Sequence, residues 1–209
     1  INGKTGGHVW AEIFDRDMKD IFALQDEVTG EIVEALKVKL TPVEKTKLAR
    51  KPTESLDAYD LYLRARQAHF ERTVKGTRTA LALYEQAIVE DPTFAEAFAG
   101  VAIAAMDVWR FDFGSVLLGP IARERAFEAA QRAMQLDPVN ASAHAVLGLL
   151  RMVDSDHDSA MRLVRKAVAL APNYAEARVT LVTALTYAGA HGDALREMEI
   201  AFRLSPVPP

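Results

Sequence analysis

The feature that most constrains this chain is a proline that returns at a fixed interval after an acidic or small residue. The four pairs are Asp91-Pro92, Asp137-Pro138, Ala171-Pro172 and Ser205-Pro206. The intervals from 138 to 172 and from 172 to 206 are both 34 residues, and the interval from 92 to 138 is longer by 12. Proline lacks an amide proton and clashes with the preceding helical turn, so each pair is predicted to end a helix. The spacing therefore indicates a stack of helical repeats.

Small residues recur in the same frame. An alanine lies five residues before each proline and another lies twelve before it: Ala87, Ala133, Ala167 and Ala201, and Ala80, Ala126, Ala160 and Ala194. Small side chains let two helices approach closely, so these positions predict helix-helix contacts. Leu147-Gly148 and Leu181-Val182 hold equivalent places in the first helices of the last two repeats.

These positions resemble the tetratricopeptide repeat family over roughly seventy percent of the chain. The resemblance implies an all-α, right-handed superhelix of about four helical hairpins. The repeats are predicted at 57–92, 93–138 (with an insertion), 139–172 and 173–206. The family's large aromatic residue near the start of the first helix is kept only as Phe98, with Arg64, His144 and Arg178 at the other three places. Gln67-Ala68 replaces the Leu-Gly pair in the first repeat.

The first 40 residues do not share this period. His8–Phe14 alternates apolar and polar residues as a strand does, and helical spacing follows from Asp20 to Leu40. Residues 41–56 are a charged connector. The strings Thr5–Glu12, Phe14–Asp17 and Asp20–Val28 resemble the end of the TolB-like α/β segment that precedes tetratricopeptide repeats in bacterial adenylate/guanylate cyclase-type signalling proteins. We therefore expect a small α/β remnant, a hairpin plus a helix, in residues 1–40.

The chain begins at Ile1 and stops at Pro209, which suggests a piece of a larger protein whose cyclase domain would lie outside it. The composition agrees with a binding domain. A formal charge of −4 gives no basic field, so nucleic acid is not an expected partner. The chain has no cysteine, which excludes disulfides and is compatible with either cytoplasm or periplasm, the cytoplasm being slightly favoured.

We expect no catalytic, cofactor or metal site. Gly3-Lys4-Thr5 lacks the upstream glycine of a phosphate-binding loop, so a hairpin turn is favoured. The run from Asp154 to Asp158 resembles the start of a calcium loop, but Ser159 and Arg165 replace the required glycine and glutamate. The histidines are scattered without the spacing of a zinc site.

The twelve extra residues of the second repeat lie within Asp107–Pro120, which is too apolar for a solvated loop. Two interpretations stay open for Trp109, Phe111 and Phe113. The favoured one is a lengthened first helix whose aromatic side chains pack on neighbouring hairpins. The other is an element that grips an apolar ligand.

The first helices of stacked hairpins line a concave face, which is the candidate peptide groove. The residues predicted there are Tyr62, His69, Arg72, Ile103, Met106, Leu149, Met152, Thr183, Thr186 and Tyr187. Chaperone-binding relatives hold a peptide carboxylate with lysine, asparagine and arginine at such places, whereas most places here are apolar or carry threonine. The surface suits a protein or peptide partner, including another part of the parent chain.

The sequence thus favours a non-catalytic interaction and assembly module, the carboxy-terminal regulatory part of a cyclase-like bacterial signalling protein. A small-ligand sensor using the groove and residues 109–118 is the alternative. The final repeat has no following hairpin in this sequence, so Leu195, Met198, Ala201 and Phe202 are predicted to lack a covering helix. Such an uncapped end predicts association between copies of the chain.

Overall fold

The structure is a computed structural model that describes residues 27, 28, 30–32 and 51–205 of the 209-residue chain. Residues 27, 28 and 30–32 are helical. The predicted strand at 8–14 lies outside the described residues, as does most of the predicted α/β remnant. The chain divides into two compact units, Ile1–Leu56 and Asp57–Pro209.

Eight helices form four successive hairpins in the described part of the repeat unit. They are α1 (Leu56–Phe70), α2 (Val74–Glu90), α3 (Ala95–Arg110), α4 (Gly119–Leu136), α5 (Ala141–Val153), α6 (His157–Leu170), α7 (Ala175–Tyr187) and α8 (His191–Leu204). The helices α1, α3, α5 and α7 are called here the first helices, and α2, α4, α6 and α8 the second helices. Each second helix from α2 to α6 also packs on the first helix of the next hairpin, and the first helices α3, α5 and α7 pack on each other in order. This arrangement is the predicted all-α stack.

Each second helix ends one residue before its X-Pro pair. Asp91, Asp137, Ala171 and Ser205 follow the four helices with φ of −140°, −136°, −138° and −135°. All four residues have left the helical region, which a residue before proline avoids because the proline ring crowds it. The repeated proline thus ends the helix and turns the chain toward the next hairpin.

All eight predicted interface alanines are buried, none being more than 6% exposed. Gly148 shows how close the helices come: a Cβ added there would lie 2.4 Å from Cγ2 of Val164 on α6. A Cβ on Gly100 would lie equally close to the ring of Tyr84. Small residues at these places are therefore a requirement of helix packing.

The first hairpin is shifted against the frame that the sequence suggested. Helix α2 has 17 residues where α6 and α8 have 14, and all three end one residue before an X-Pro pair. Counted back from the X-Pro pair, the turn before α2 therefore comes three residues earlier than the turns before α6 and α8. Ala65 of α1, which is fully buried, is therefore equivalent to Gly148 of α5. The proline spacing alone assigns that position to Ala68.

The insertion is shared among three segments of the second hairpin. Helix α3 has 16 residues against 13 in α5, and α4 has 18 against 14 in α6. The remaining extra residues are in the turn 111–118. Trp109, Phe113, Val116 and Leu117 are half-buried against the hydrophobic core. The predicted lengthening of the first helix is present, and these side chains pack against a core to which the first three hairpins contribute.

His144 and Arg178 replace the family's aromatic residue, and both make the same kind of contact. His144 Nε2 lies 3.0 Å from the carbonyl oxygen of Pro138, and Arg178 Nε donates to the carbonyl of Pro172 at 2.8 Å. In both repeats the side chain reaches the proline carbonyl six residues earlier. A nitrogen donor therefore occupies the place of an aromatic ring and satisfies a turn carbonyl.

The turn inside each hairpin uses one residue in the left-handed region. Arg72, Asp112, Ser155 and Gly189 each come two residues after the end of a first helix, with φ between 49° and 73°. Only the fourth is glycine, so the other three adopt this conformation at some energetic cost. In the part of the chain that the structure describes, we find no helix long and apolar enough to cross a membrane.

Candidate functional site

The concave side of the repeat unit holds a cavity of about 660 Å3. All four first helices contribute to its wall, together with part of α8. On α3, α5 and α7 the contact positions fall at helical spacing, as in Ala99, Ile103 and Met106. The site is therefore a product of stacking, because no single hairpin supplies more than a part of its wall.

Seven of the ten predicted groove residues line this cavity: Tyr62, His69, Arg72, Ile103, Met106, Leu149 and Thr183. The structure places the other three elsewhere. Met152 is buried against Ala160 and Ala184 in the core between hairpins. Thr186 donates its hydroxyl to the carbonyl of Val182 on its own helix. Tyr187 is 73% exposed, and its ring lies 6.1 Å from that of His157, outside the cavity.

The three candidate contacts of the insertion also differ in whether they line the cavity. Phe111 lines the cavity and is half exposed. Trp109 and Phe113 pack against the hydrophobic core instead. Trp109 and Phe113 therefore agree with the packing interpretation, and Phe111 is the candidate contact of the insertion that lines the cavity.

The sequence analysis missed several residues of the wall. Arg66 lines the cavity because the shift of the first hairpin gives it the place that Ile103 holds on α3. Arg110 does so because the insertion extends α3. Tyr174 and Glu176 belong to the start of α7, whereas the prediction began farther along that helix. The repeat spacing places Arg66 in the wall only when the length of α2 is known, because that length sets the register of α1 relative to the proline.

Polar side chains meet across the cavity in two pairs. The His69 Nε2 atom on α1 is 2.9 Å from Oδ2 of Asp107 on α3. The guanidinium of Arg72, in the turn after α1, lies 3.9 Å from a carboxylate oxygen of Glu176 on α7. The second pair brings together side chains of the first and fourth hairpins across the cavity.

Two tyrosines, Tyr62 on α1 and Tyr84 on α2, line the cavity beside the buried ring of Phe94. The ring of Tyr62 is 5.0 Å from Phe94 and 5.8 Å from Tyr84. Burial raises the pKa of both tyrosines, and burial also raises the pKa of Tyr174 to about 12 despite its hydrogen bond with Ser142. The phenols therefore stay neutral at physiological pH and present hydroxyl groups inside an apolar wall.

The run from Asp154 to Asp158 forms the turn of the third hairpin and the first two residues of α6. Asp156 caps α6 by accepting from the amide of Ser159 at 3.2 Å, and the side-chain and backbone hydrogen bonds of Ser159 lower the pKa of this carboxyl. Asp154 pairs with Arg123 on α4. Among the described residues, no group of histidines and carboxylates has an arrangement that could hold a metal ion.

Comparison with known proteins gives one curated relative and a structural likeness. No protein-family model matches the chain. The chain is 38% identical over 151 residues to the Rhizobium meliloti (strain 1021) protein named "Putative adenylate cyclase 3", a match that covers 71% of this chain and 25% of the relative. The chain thus spans about a quarter of the length of that relative. The crystal structure of TTC0263, a thermophilic TPR protein of Thermus thermophilus, superposes with a TM-score of 0.58 at 20% identity, covering 91% of this chain and 93% of the other.

Proposed function

Because the chain has the tetratricopeptide repeat fold, we propose that it is a non-catalytic module that binds a peptide segment of a protein in its concave cavity. One observation supports this most directly. The first helices of four hairpins jointly form the wall of a 660 Å3 cavity, and this wall is mostly apolar with hydroxyl and charged groups at intervals. A surface of this kind binds the side chains of a segment by burial and fixes its orientation by hydrogen bonds.

The test is selection of binders from a displayed random peptide library. Selected peptides should bind the unmutated chain and bind Ile103→Glu at least tenfold more weakly, since Ile103 lies in the wall. Ile121→Glu is the matched control because Ile121 is 49% exposed on α4 and lies outside the cavity. Recovery of no binders, or of binders insensitive to Ile103→Glu, would contradict the proposal.

We further propose that the module regulates a cyclase-like signalling protein as part of a longer chain. The similarity to the Rhizobium meliloti relative, of which this chain spans a quarter, supports that placement. The segment that it binds would then belong either to another protein or to another part of the same parent. Expressing the parent with and without Ile103→Glu and measuring cyclic nucleotide production tests this role. If the two parents produce cyclic nucleotide at the same rate, both with and without the segment that binds, the regulatory role is contradicted.

A small-ligand sensor is the second candidate. The cavity volume falls in the range of roughly 300–1,000 Å3 that holds small molecules, and Phe111 of the insertion reaches the wall. A thermal-shift screen with peptides and metabolites separates the two functions. A sensor gains stability from a small molecule, whereas an interaction module gains it only from a peptide or protein.

The open face of the last hairpin supports a further proposal, association between copies of the chain. On α8, Leu195 is 68% exposed and Phe202 is 53% exposed. Ala201, by contrast, is buried, which corrects the expectation that it lacks a partner. Met198 and Phe202 line the cavity instead, so the apolar face of α8 that we propose for association is centred on Leu195.

A further inference from the structure

Two arginines in the cavity wall have no carboxylate partner among the described residues. They are Arg66 on α1 and Arg110 on α3, both exposed. The other nitrogen groups of this region have partners within the chain, since Arg72 lies against Glu176 and His69 against Asp107. Two positive charges are therefore available to an incoming group.

An aromatic ring lies near each of the two guanidinium groups. The Cζ atom of Arg66 is 5.9 Å from the ring centroid of Tyr62, and that of Arg110 is 5.4 Å from the ring centroid of Phe111. An aromatic ring beneath the guanidinium restricts its orientation and leaves donors at its edge. Arg66 uses part of its donor capacity on the Tyr62 side chain. Oriented guanidinium edges are suited to carboxylates, which they bind through paired hydrogen bonds.

The two arginines lie on either side of the His69–Asp107 pair. Arg66 comes three residues before His69 on α1, and Arg110 comes three residues after Asp107 on α3. Because α1 and α3 run in the same direction, six steps at a rise of ~1.5 Å per residue offset the two backbone positions by about 9 Å along the helix axes. An extended chain covers that distance in about three residues.

The wall beside this stretch is apolar. Ile103 and Met106 of α3 and Leu149 of α5 line the same cavity. Glu96, the remaining carboxylate of this part of the wall, lies in the first turn of α3, whereas Arg110 is the last residue of that helix. Arg66 and Arg110 thus present two guanidinium groups in this part of the wall, with apolar side chains beside them.

From this arrangement we propose that the groove binds a short apolar segment with two acidic side chains about three residues apart, one held by Arg66 and the other by Arg110. This inference rests on the proposed peptide-binding function and specifies its partner. The apolar residues of the segment contact Ile103, Met106 and Leu149. The acidic residues set its position along the groove.

The experiment measures the fluorescence anisotropy of labelled peptides with the full chain. The probe is an apolar hexapeptide, blocked at both ends, with glutamates at its second and fifth positions. Two further probes carry glutamine or lysine at those positions. The protein variants are Arg66→Gln and Arg110→Gln, and Arg165→Gln is the matched control because Arg165 is exposed on α6 outside the cavity.

We expect the glutamate peptide to bind at least tenfold more tightly than the glutamine peptide, and the lysine peptide to bind most weakly. Each groove variant should bring the glutamate peptide close to the glutamine peptide, whereas Arg165→Gln should not. High salt should weaken only the glutamate peptide. Melting temperatures of the variants show whether each is folded.

Two results overturn the inference. Equal binding of the glutamate and glutamine peptides would remove the acidic requirement while leaving peptide binding in place. Failure of the glutamate peptide to bind at all would also contradict it, and the library selection then decides separately whether the groove binds any peptide. Binding of a free dicarboxylate alone, with the same dependence on Arg66 and Arg110, would contradict the peptide in favour of the small-ligand sensor.

Discussion

Gly148 is held against Val164 so closely that there is no room for a Cβ atom between α5 and α6. We predict that Gly148→Ala lowers the free energy of unfolding by about 1–3 kcal/mol, the usual cost of an overpacked core. Val164 is a stiff, β-branched side chain and cannot rotate away at low cost. The measurement is urea unfolding of the two single variants and of Gly148→Ala/Val164→Ala. The double variant should be more stable than the sum of the single effects predicts, and strict additivity would contradict the contact.

The hydroxyl of Tyr174 should make stability fall at alkaline pH. Burial raises its pKa to about 12 from the ordinary value of 10, so the folded state keeps a proton that the unfolded state releases. The stabilisation is complete below about pH 10 and is lost as pH rises toward 12. We expect about 1–2 kcal/mol of this loss to come from Tyr174.

Unfolding by urea at pH 8 and at pH 11, with Tyr174→Phe beside the unmutated chain, measures this contribution. The phenylalanine variant has no proton to lose there and should show the smaller decrease. An equal decrease in both chains would contradict the assignment, since it would trace the pH effect to other groups, Tyr62 and Tyr84 among them.

At the scale of one helix, the contact alanines decide whether neighbouring elements can meet. Ala167 on α6 is fully buried beside Ala145 and Ala177, whereas Ala169 on the same helix is exposed. Ala167→Trp should lower stability by about 3 kcal/mol or more, because the indole has no space between the helices. Ala169→Trp should stay within about 0.5 kcal/mol of the unmutated chain. Similar melting temperatures for the two variants would mean that the alanine frame is wrong.

The insertion provides a second comparison between neighbouring side chains. Trp109 packs on the core and Phe111 lines the cavity. Trp109→Ala should reduce stability by about 2–4 kcal/mol, whereas Phe111→Ala should change stability little and weaken the binding of groove peptides. Denaturant unfolding and peptide titration of both variants check the two halves of this expectation. A large loss of stability in Phe111→Ala would show that the whole insertion is structural.

The helical stack was predictable because its determinants are local. The prolines and the two alanines of each repeat act through the helix in which they lie and the helix that they touch, so their spacing is visible in the sequence. The division of the twelve inserted residues among α3, the turn and α4 was less accessible. It depends on how Trp109 and Phe113 pack against other hairpins, and no local pattern encodes that packing.

The site was predictable only where the repeat frame was correct. Ile103, Leu149 and Thr183 were placed properly because their repeats keep the expected register. Arg66 was missed because α2 begins three residues early and shifts α1 against its proline. Met152 was misplaced because its position on α5 turns toward α6 and α7, where it packs on Ala160 and Ala184. The shift of α1 and the orientation of Met152 both result from packing between helices.

At the scale of the whole molecule, the apolar face of α8 should promote association between copies. We predict that sedimentation at micromolar concentration shows dimers or larger species, and that Leu195→Glu shifts the distribution toward the monomer. A few hundred Å2 of apolar surface, at ~25 cal/mol per Å2, can supply several kcal/mol of association energy. Val89→Glu is the control, since Val89 is 78% exposed on α2, far along the sequence from that face. A strictly monomeric chain, unchanged by Leu195→Glu, would contradict the prediction.

The contact of Arg72 with Glu176 has a consequence for how a ligand enters. Both side chains are substantially exposed, at 40% and 59%, and exposed ion pairs contribute about 0–1 kcal/mol. A contact that weak is broken in at least about one molecule in six, since 1.4 kcal/mol is needed for a tenfold preference. Exposed side chains change rotamer in picoseconds to nanoseconds, so this contact breaks and re-forms quickly, and the rate of association should be governed by diffusion and fit. A slow gating step is not expected from this contact.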